Sequence, residues 1–114
     1  PDLAVNGHQT LSENIADLAG LLASYDAYRL SLRGKPDVAK NGVTGDQRFF
    51  IAFAQSWRAK MRDAELRKRI ATNGHAPDQY RADAVRNIDA WYDAFSPQPP
   101  QKLYLAPKDR VRIW

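Results

Sequence analysis

Two carboxylates one helical turn apart, and a histidine followed six residues later by an arginine, are the features of this 114-residue chain that could do chemistry. The carboxylates lie in Glu13-Asn-Ile-Ala-Asp17. Spacing i, i+4 puts them on one helix face. Counting from Leu11 at about 100° per residue, the apolar stripe Leu11, Ile15, Leu18, Leu22 and Tyr25 clusters near 0°. Glu13 and Asp17 then fall near about 200° and 240°. Such a pair can supply a metal ligand and a second carboxylate that fixes the tautomer of a ligating histidine. The plainer alternative is local, because Thr10-Leu-Ser-Glu13 has the pattern of a capping box, with Glu13 reaching back to the helix start.

The second feature is Asn73-Gly-His-Ala-Pro-Asp-Gln-Tyr-Arg81. His75 stands on a turn just before a helix N-terminus, and Arg81 lies about a turn inside that helix. Together they could form an anion or oxyanion site. Alternatively, His75 is an exposed turn residue and Arg81 a surface cation. His8, flanked by Gly7 and Gln9 ahead of the first helix, reads as plain surface.

The elements that must position these groups follow from periodicity. A first helix is expected from about 10 to 33, ended by Gly34 and Pro36. The arc of Ala16, Gly20, Ala23 and Ala27 beside the carboxylates is small and smooth, so this helix is suited to being covered on two faces. A loop, 35–45, leads to a second helix at 44–71, opened by the capping box Thr44-Gly-Asp-Gln47. A break near Asp63 is compatible with its pattern. After the turn Asn73-Gly74, a third helix spans about 77–95, with Pro77 at its first position and the stripe Tyr80, Ala84, Ile88, Trp91 and Phe95. Four of the seven prolines follow Ser96, so the tail is irregular. Leu103, Tyr104, Leu105, Val111, Ile113 and Trp114 make it too apolar to be disordered. The fold class is all-α: three main helices and an irregular Pro-rich tail that lies across them or against something outside this chain.

Composition narrows the chemistry. The chain has two histidines, no cysteine, 44% hydrophobic residues and a formal charge of +4. Without cysteine there is no zinc finger, thiol nucleophile or disulfide. Two histidines leave little for a self-contained metal site, which needs three or four clustered ligands. No apolar run approaches the roughly 20 residues that cross a bilayer. The chain begins at Pro1 rather than Met, which suggests a start that is not a natural translation start. Six cations between Arg58 and Arg69 form a solvated helix face or, alternatively, a nucleic-acid surface.

Taken together, Leu11-Ser-Glu-Asn-Ile-Ala-Asp17, Gln47-Arg-Phe-Phe-Ile-Ala-Phe-Ala-Gln-Ser-Trp57, His75-Ala-Pro with Tyr80-Arg81, and Arg112-Ile-Trp114 resemble the C-terminal part of the neprilysin-like zinc metallopeptidases. They stand in that family's order and at its spacing. The resemblance implies that residues 1–114 are the C-terminal part of a larger zincin catalytic domain that hydrolyses peptide bonds with a zinc-activated water. It implies that Glu13 is a zinc ligand and that Asp17 orients a zinc-ligating histidine. It further implies that His75 hydrogen-bonds the oxyanion and that Arg81 grips a substrate carbonyl. The family's His-Glu-x-x-His helix, source of the other two zinc ligands and the general base, is absent from this chain. The expectation is therefore that the segment binds zinc weakly or not at all and is inactive by itself. Its expected partners are a peptide substrate and the remainder of its own domain, with no nucleic acid and no membrane contact.

Two departures from the family pattern carry information. Asn73 stands where many relatives have an aspartate; it can orient His75 but lends it no charge. Arg58 and Val111 stand where animal members have cysteines, which suggests a bacterial member. A periplasmic, secreted or membrane-anchored location is expected in preference to a cytoplasmic one.

Overall fold

The computed structural model describes residues 2–114. Among them every regular element is helical, and the one β-type pairing is an isolated bridge between Lys40 and Val43. Helix α1, Gly7–Ser31, is capped by Asn6, whose side chain accepts from the amides of His8 and Gln9 at 3.1 and 3.2 Å. It starts earlier than expected because Asn6 is itself a strong cap. Thr10 is consequently inside the helix, buried, with its hydroxyl donating to the Asn6 carbonyl. The capping box proposed for Thr10 and Glu13 does not exist, and Glu13 is left without a helix-starting duty. His8, expected ahead of the helix, lies in its first turn and is exposed. After Leu32, Arg33 and Gly34 take left-handed conformations, with φ of 50° and 74°, and end the helix where the glycine indicated.

Helix α2, Gly45–Ser56, opens on the expected capping box, both Thr44–Gln47 hydrogen bonds being present. The Gln47 amide also reaches the Ala94 carbonyl at 2.9 Å, tying this helix start to the third helical region. Helical structure reaches Thr72, but in two pieces, the interruption lying just before Asp63 where the pattern allowed a break. The backbone leaves helical geometry at Trp57, and α3, Asp63–Thr72, begins after a six-residue bend, with Asp63 and Glu65 in its first turn. Acidic side chains at that end favour a fresh helix start. Tertiary contacts of Trp57, described below, override the helical pattern of the bend.

The third region is also divided. Helix α4, Asp78–Ala82, runs into a 3₁₀ turn, Asp83–Asn87; Ile88 is extended, and α5 occupies Asp89–Phe95. The interruption drives Ile88, 2% exposed, into the core. The carbonyl it frees on Arg86 accepts from the Tyr92 hydroxyl at 2.8 Å. Pro77 caps α4 rather than occupying its first turn, an offset of one residue.

The core joins Leu18 and Leu21 of α1 to Phe50, Val85 and Ile88. Tyr25, Phe49 and Phe50 add a cluster of ring contacts with centroids 5.2–5.5 Å apart. The tail lies across the helices as its composition indicated. The Leu105 amide donates to Tyr92 Oη, the Arg110 guanidinium sits 3.5 Å over the Tyr92 ring, and Arg110 and Arg112 both pair with Asp89.

The N-terminal half of the α1 stripe is uncovered: Leu11 and Ile15 are 53% and 43% exposed. Ala16, Gly20 and Ala23 on the small face are exposed as well. The accessible surface is 8114 Å², against about 6,300 Å² for a self-contained monomer of this mass. The Cα radius of gyration is 15.8 Å, against about 13 Å for a compact domain of this length. The chain thus leaves open an excess of surface of the size that another part of a domain would cover. No helix among the described residues is long and apolar enough to cross a membrane.

Candidate active-site segment

Helix α1 presents Glu13 and Asp17 one turn apart, and each meets one member of the second motif. His75 Nε2 is 3.2 Å from Glu13 Oε2, with both side chains 45% exposed. Asp17 takes a planar, two-point hydrogen bond from Arg81, through Nε and one Nη at 2.7 Å each. The four residues singled out by spacing therefore form two adjacent pairs. His75 is an exposed turn residue, as the plainer reading had it, but it faces Glu13. Arg81 is a largely covered cation paired with Asp17 and not a plain surface one.

Each donor is oriented from behind. Asn73 Oδ1 accepts from the His75 backbone amide and lies 2.9 Å from the ring Nδ1. The Glu13 carboxylate faces the other ring nitrogen, Nε2. Arg81 is wedged between Asp17 and the face of Trp57, its guanidinium carbon 4.2 Å from the ring centroid. Donating to the Asp17 carboxylate raises the Arg81 pKa further above its already high value. The second Nη of Arg81 makes no hydrogen bond to the described residues.

Trp57 is the residue that sequence reasoning misplaced. It fits the apolar stripe of α2, but the bend after Ser56 turns it against Arg81 and Phe53. Nothing in its spacing signals that contact. The cations between Arg58 and Arg69 are likewise divided between the bend and α3. Arg67 pairs with Asp2 and Asp63, and Arg69 with Glu65. They do not form the single helical face that a nucleic-acid stripe would need.

Among the described residues no three His, Cys, Asp or Glu side chains are grouped to hold a metal ion. Glu13 nonetheless fits as one ligand of a shared site. It is an accessible carboxylate, an accepted zinc donor, with no cap to maintain, and its Oε1 makes no hydrogen bond to the described residues.

Comparison with known proteins decides the relationship. The model of peptidase family M13 matches residues 1–111. The chain belongs to peptidase family M13. Human endothelin-converting enzyme-like 1 is 36% identical over 114 residues, covering 96% of this chain and 14% of that protein. The neutral endopeptidase of Lactobacillus helveticus is 33% identical over 111 residues, covering 96% and 16%. Among solved structures, the zinc metalloprotease ZMP1 of Mycobacterium tuberculosis in its open state superposes with a TM-score of 0.93 at 47% identity. That match covers 96% of this chain and 17% of ZMP1. An inhibitor complex of the same protein gives a TM-score of 0.92. This chain thus spans about one-sixth of the length of the M13 proteins it matches. Its all-helical fold is that of a segment of a larger M13 peptidase.

Proposed function

We propose that this chain is the C-terminal portion of the catalytic domain of an M13 zinc endopeptidase, inactive alone, that cleaves peptides once joined to the rest of its domain. The observation that carries this reading is the convergence of Glu13, Asp17, His75 and Arg81 in one place on an M13 fold. Glu13 would hold the zinc together with ligands from a His-Glu-x-x-His segment elsewhere in the protein. When bound, the metal would supply Lewis-acid polarisation and an activated water. Asp17 spends one acceptor site per oxygen on Arg81. A carboxylate has about four such sites, so it retains capacity to fix the tautomer of a ligating histidine. His75, held by Asn73, donates to the carbonyl oxygen as it takes on negative charge, a type of contact worth about 3 kcal/mol in comparable sites. Arg81, fixed by Asp17 and Trp57, offers its unused Nη to a substrate carbonyl. An extracytoplasmic location is part of the same proposal.

The test is Glu13→Gln in the full-length protein. The ligand role predicts loss of bound zinc, measured by elemental analysis, together with loss of peptide hydrolysis and an unchanged fold. Full zinc occupancy in the variant would refute the role. Absence of a His-Glu-x-x-His segment from the coding sequence upstream would remove the whole reading.

A further inference from the structure

A cavity of about 600 Å³ opens directly beside His75 and Arg81, within the size range of ligand sites. Its lining is mixed: Trp57, Met61 and Leu66 form an apolar side, and four cations stand around it, Arg58, Lys60, Arg69 and Arg81. Asp78 is the one carboxylate in the lining. Arg69 and Arg81 are occupied by Glu65 and Asp17. Arg58 and Lys60 are exposed and make no ion pair among the described residues. The cavity is therefore suited to a side chain with an apolar stem and an anionic end. Both cations come from the bend that follows Trp57, so the interruption of the second helix is what brings them to the site.

We propose that this cavity is a substrate subsite for an acidic side chain, glutamate above all, with Arg58 and Lys60 as its specificity-determining residues. The proposal rests on the peptidase reading above and adds a substrate class to it. Glutamate is preferred over aspartate because its longer stem spans the apolar wall before its carboxylate reaches the rim.

The experiment uses the zinc-loaded full-length enzyme and internally quenched peptides identical except for one residue, Glu, Gln or Lys. That residue is placed in turn at each of the two positions on either side of the scissile bond. At one position the Glu peptide should exceed the Gln peptide in kcat/KM by about fivefold at low salt, as two exposed ion contacts would give. The gap should close at 1 M salt, where the screening length falls to about 3 Å. In R58Q/K60Q the Glu-to-Gln ratio should approach one, and in R58E/K60E the Lys peptide should overtake the Glu peptide. These ratios are unaffected by a variant that merely folds poorly. Equal turnover of Glu and Gln peptides at every position by the wild type would overturn the proposal, as would a Glu preference that survives R58E/K60E. Inhibition by a single-stranded RNA oligonucleotide, relieved in R58E/K60E and unaccompanied by any Glu preference, would assign the cations to a polyanion instead. Failure to hydrolyse any of the peptides would overturn the peptidase reading as well, which separates the two failures.

Discussion

Asp17→Asn and Arg81→Lys, made in the full-length enzyme, separate two duties of one carboxylate: the pairing with Arg81 and the proposed orienting of a zinc-ligating histidine. Asp17 and Arg81 side chains are 14% and 19% exposed and meet through two contacts of 2.7 Å. An asparagine keeps one acceptor oxygen but sets an NH₂ group against the other guanidinium N–H, so one charge-assisted bond and the charge compensation are lost. Exposed ion pairs are worth about 0–1 kcal/mol and breaking a buried one costs about 3–5. This largely covered pair therefore falls near 2 kcal/mol. Lysine at position 81 loses a similar amount by another route, since a point ammonium cannot hold Asp17 and reach a substrate carbonyl together. Either change should lower kcat/KM roughly 30-fold at saturating zinc, at about 1.4 kcal/mol per decade. The double variant should fall little further than the worse single one, because both remove the same interaction. Zinc affinity, measured by competition with a chelator, distinguishes the two. Removing a partner of a ligating histidine typically costs about 10- to 100-fold, so Asp17→Asn should lose affinity on that scale while Arg81→Lys retains it. Unchanged zinc affinity in Asp17→Asn, or full additivity in kcat/KM, would refute the dual role.

Further outcomes follow from the scaffold. Asn6→Ala should destabilise the start of α1 by about 1 kcal/mol, seen as faster amide exchange in its first turn, whereas Glu13→Gln should leave that exchange unchanged. A methyl group on Gly45 would collide with the Tyr28 hydroxyl and the Asp37 carboxylate. Gly45→Ala should therefore cost about 1–3 kcal/mol, detected as a lowered Tm. Tyr28 donates to Asp37 at 2.8 Å, and Arg48 pairs with the same carboxylate. Burial and that hydrogen bond push the Tyr28 pKa from 10.0 up to about 12. Stability from the neutral phenol is thus present below pH 10 and lost as the pH rises toward 12. The Tyr28 and Arg48 contacts hold the Asp37 carboxyl below its ordinary range. Its contribution is therefore present above the ordinary value and lost on acidification through the lowered one. Tyr28→Phe should flatten the alkaline fall in Tm and steepen none of it; an unchanged alkaline slope would contradict this account.

Legibility in the sequence tracked how local each interaction is. The Thr44–Gln47 box and the glycine stop at Gly34 involve neighbours within three residues or a single backbone conformation, and both stand where the pattern put them. The break at Trp57 does not belong to its own helix: it is set by Arg81, whose guanidinium covers the indole. The break at Ile88 is set by the core and by Tyr92 and the tail, which take over the freed polar groups. Periodicity carries no information about such partners. The same distinction applies to the site. That Glu13 and Asp17 share a face was readable from four-residue spacing. That each holds one member of the His75–Arg81 motif was not, because the Asp17–Arg81 contact spans 64 residues. The choice between a cap and a free carboxylate at Glu13 turned on Asn6, a good cap placed just early enough to release it.

The pairing has a consequence for how such a site is kept ready. Under the proposed roles, the metal ligand and the oxyanion donor come from segments about 60 residues apart in sequence, so a metal alone would have to fix their relative position. Here the Asp17–Arg81 pair, backed by Trp57, fastens α4 to α1 one turn from Glu13. The Asn73 turn then fixes the His75 ring relative to α4. Positional order is thus supplied by the protein's own contacts, and most of it by the less exposed of the two pairs. The Glu13–His75 contact is longer, at 3.2 Å, and about half exposed. It can open when Glu13 turns to another partner, without disturbing the frame. A rigid pair beside a releasable one is the arrangement expected of a site in which one carboxylate positions a neighbour and the other is meant to bind.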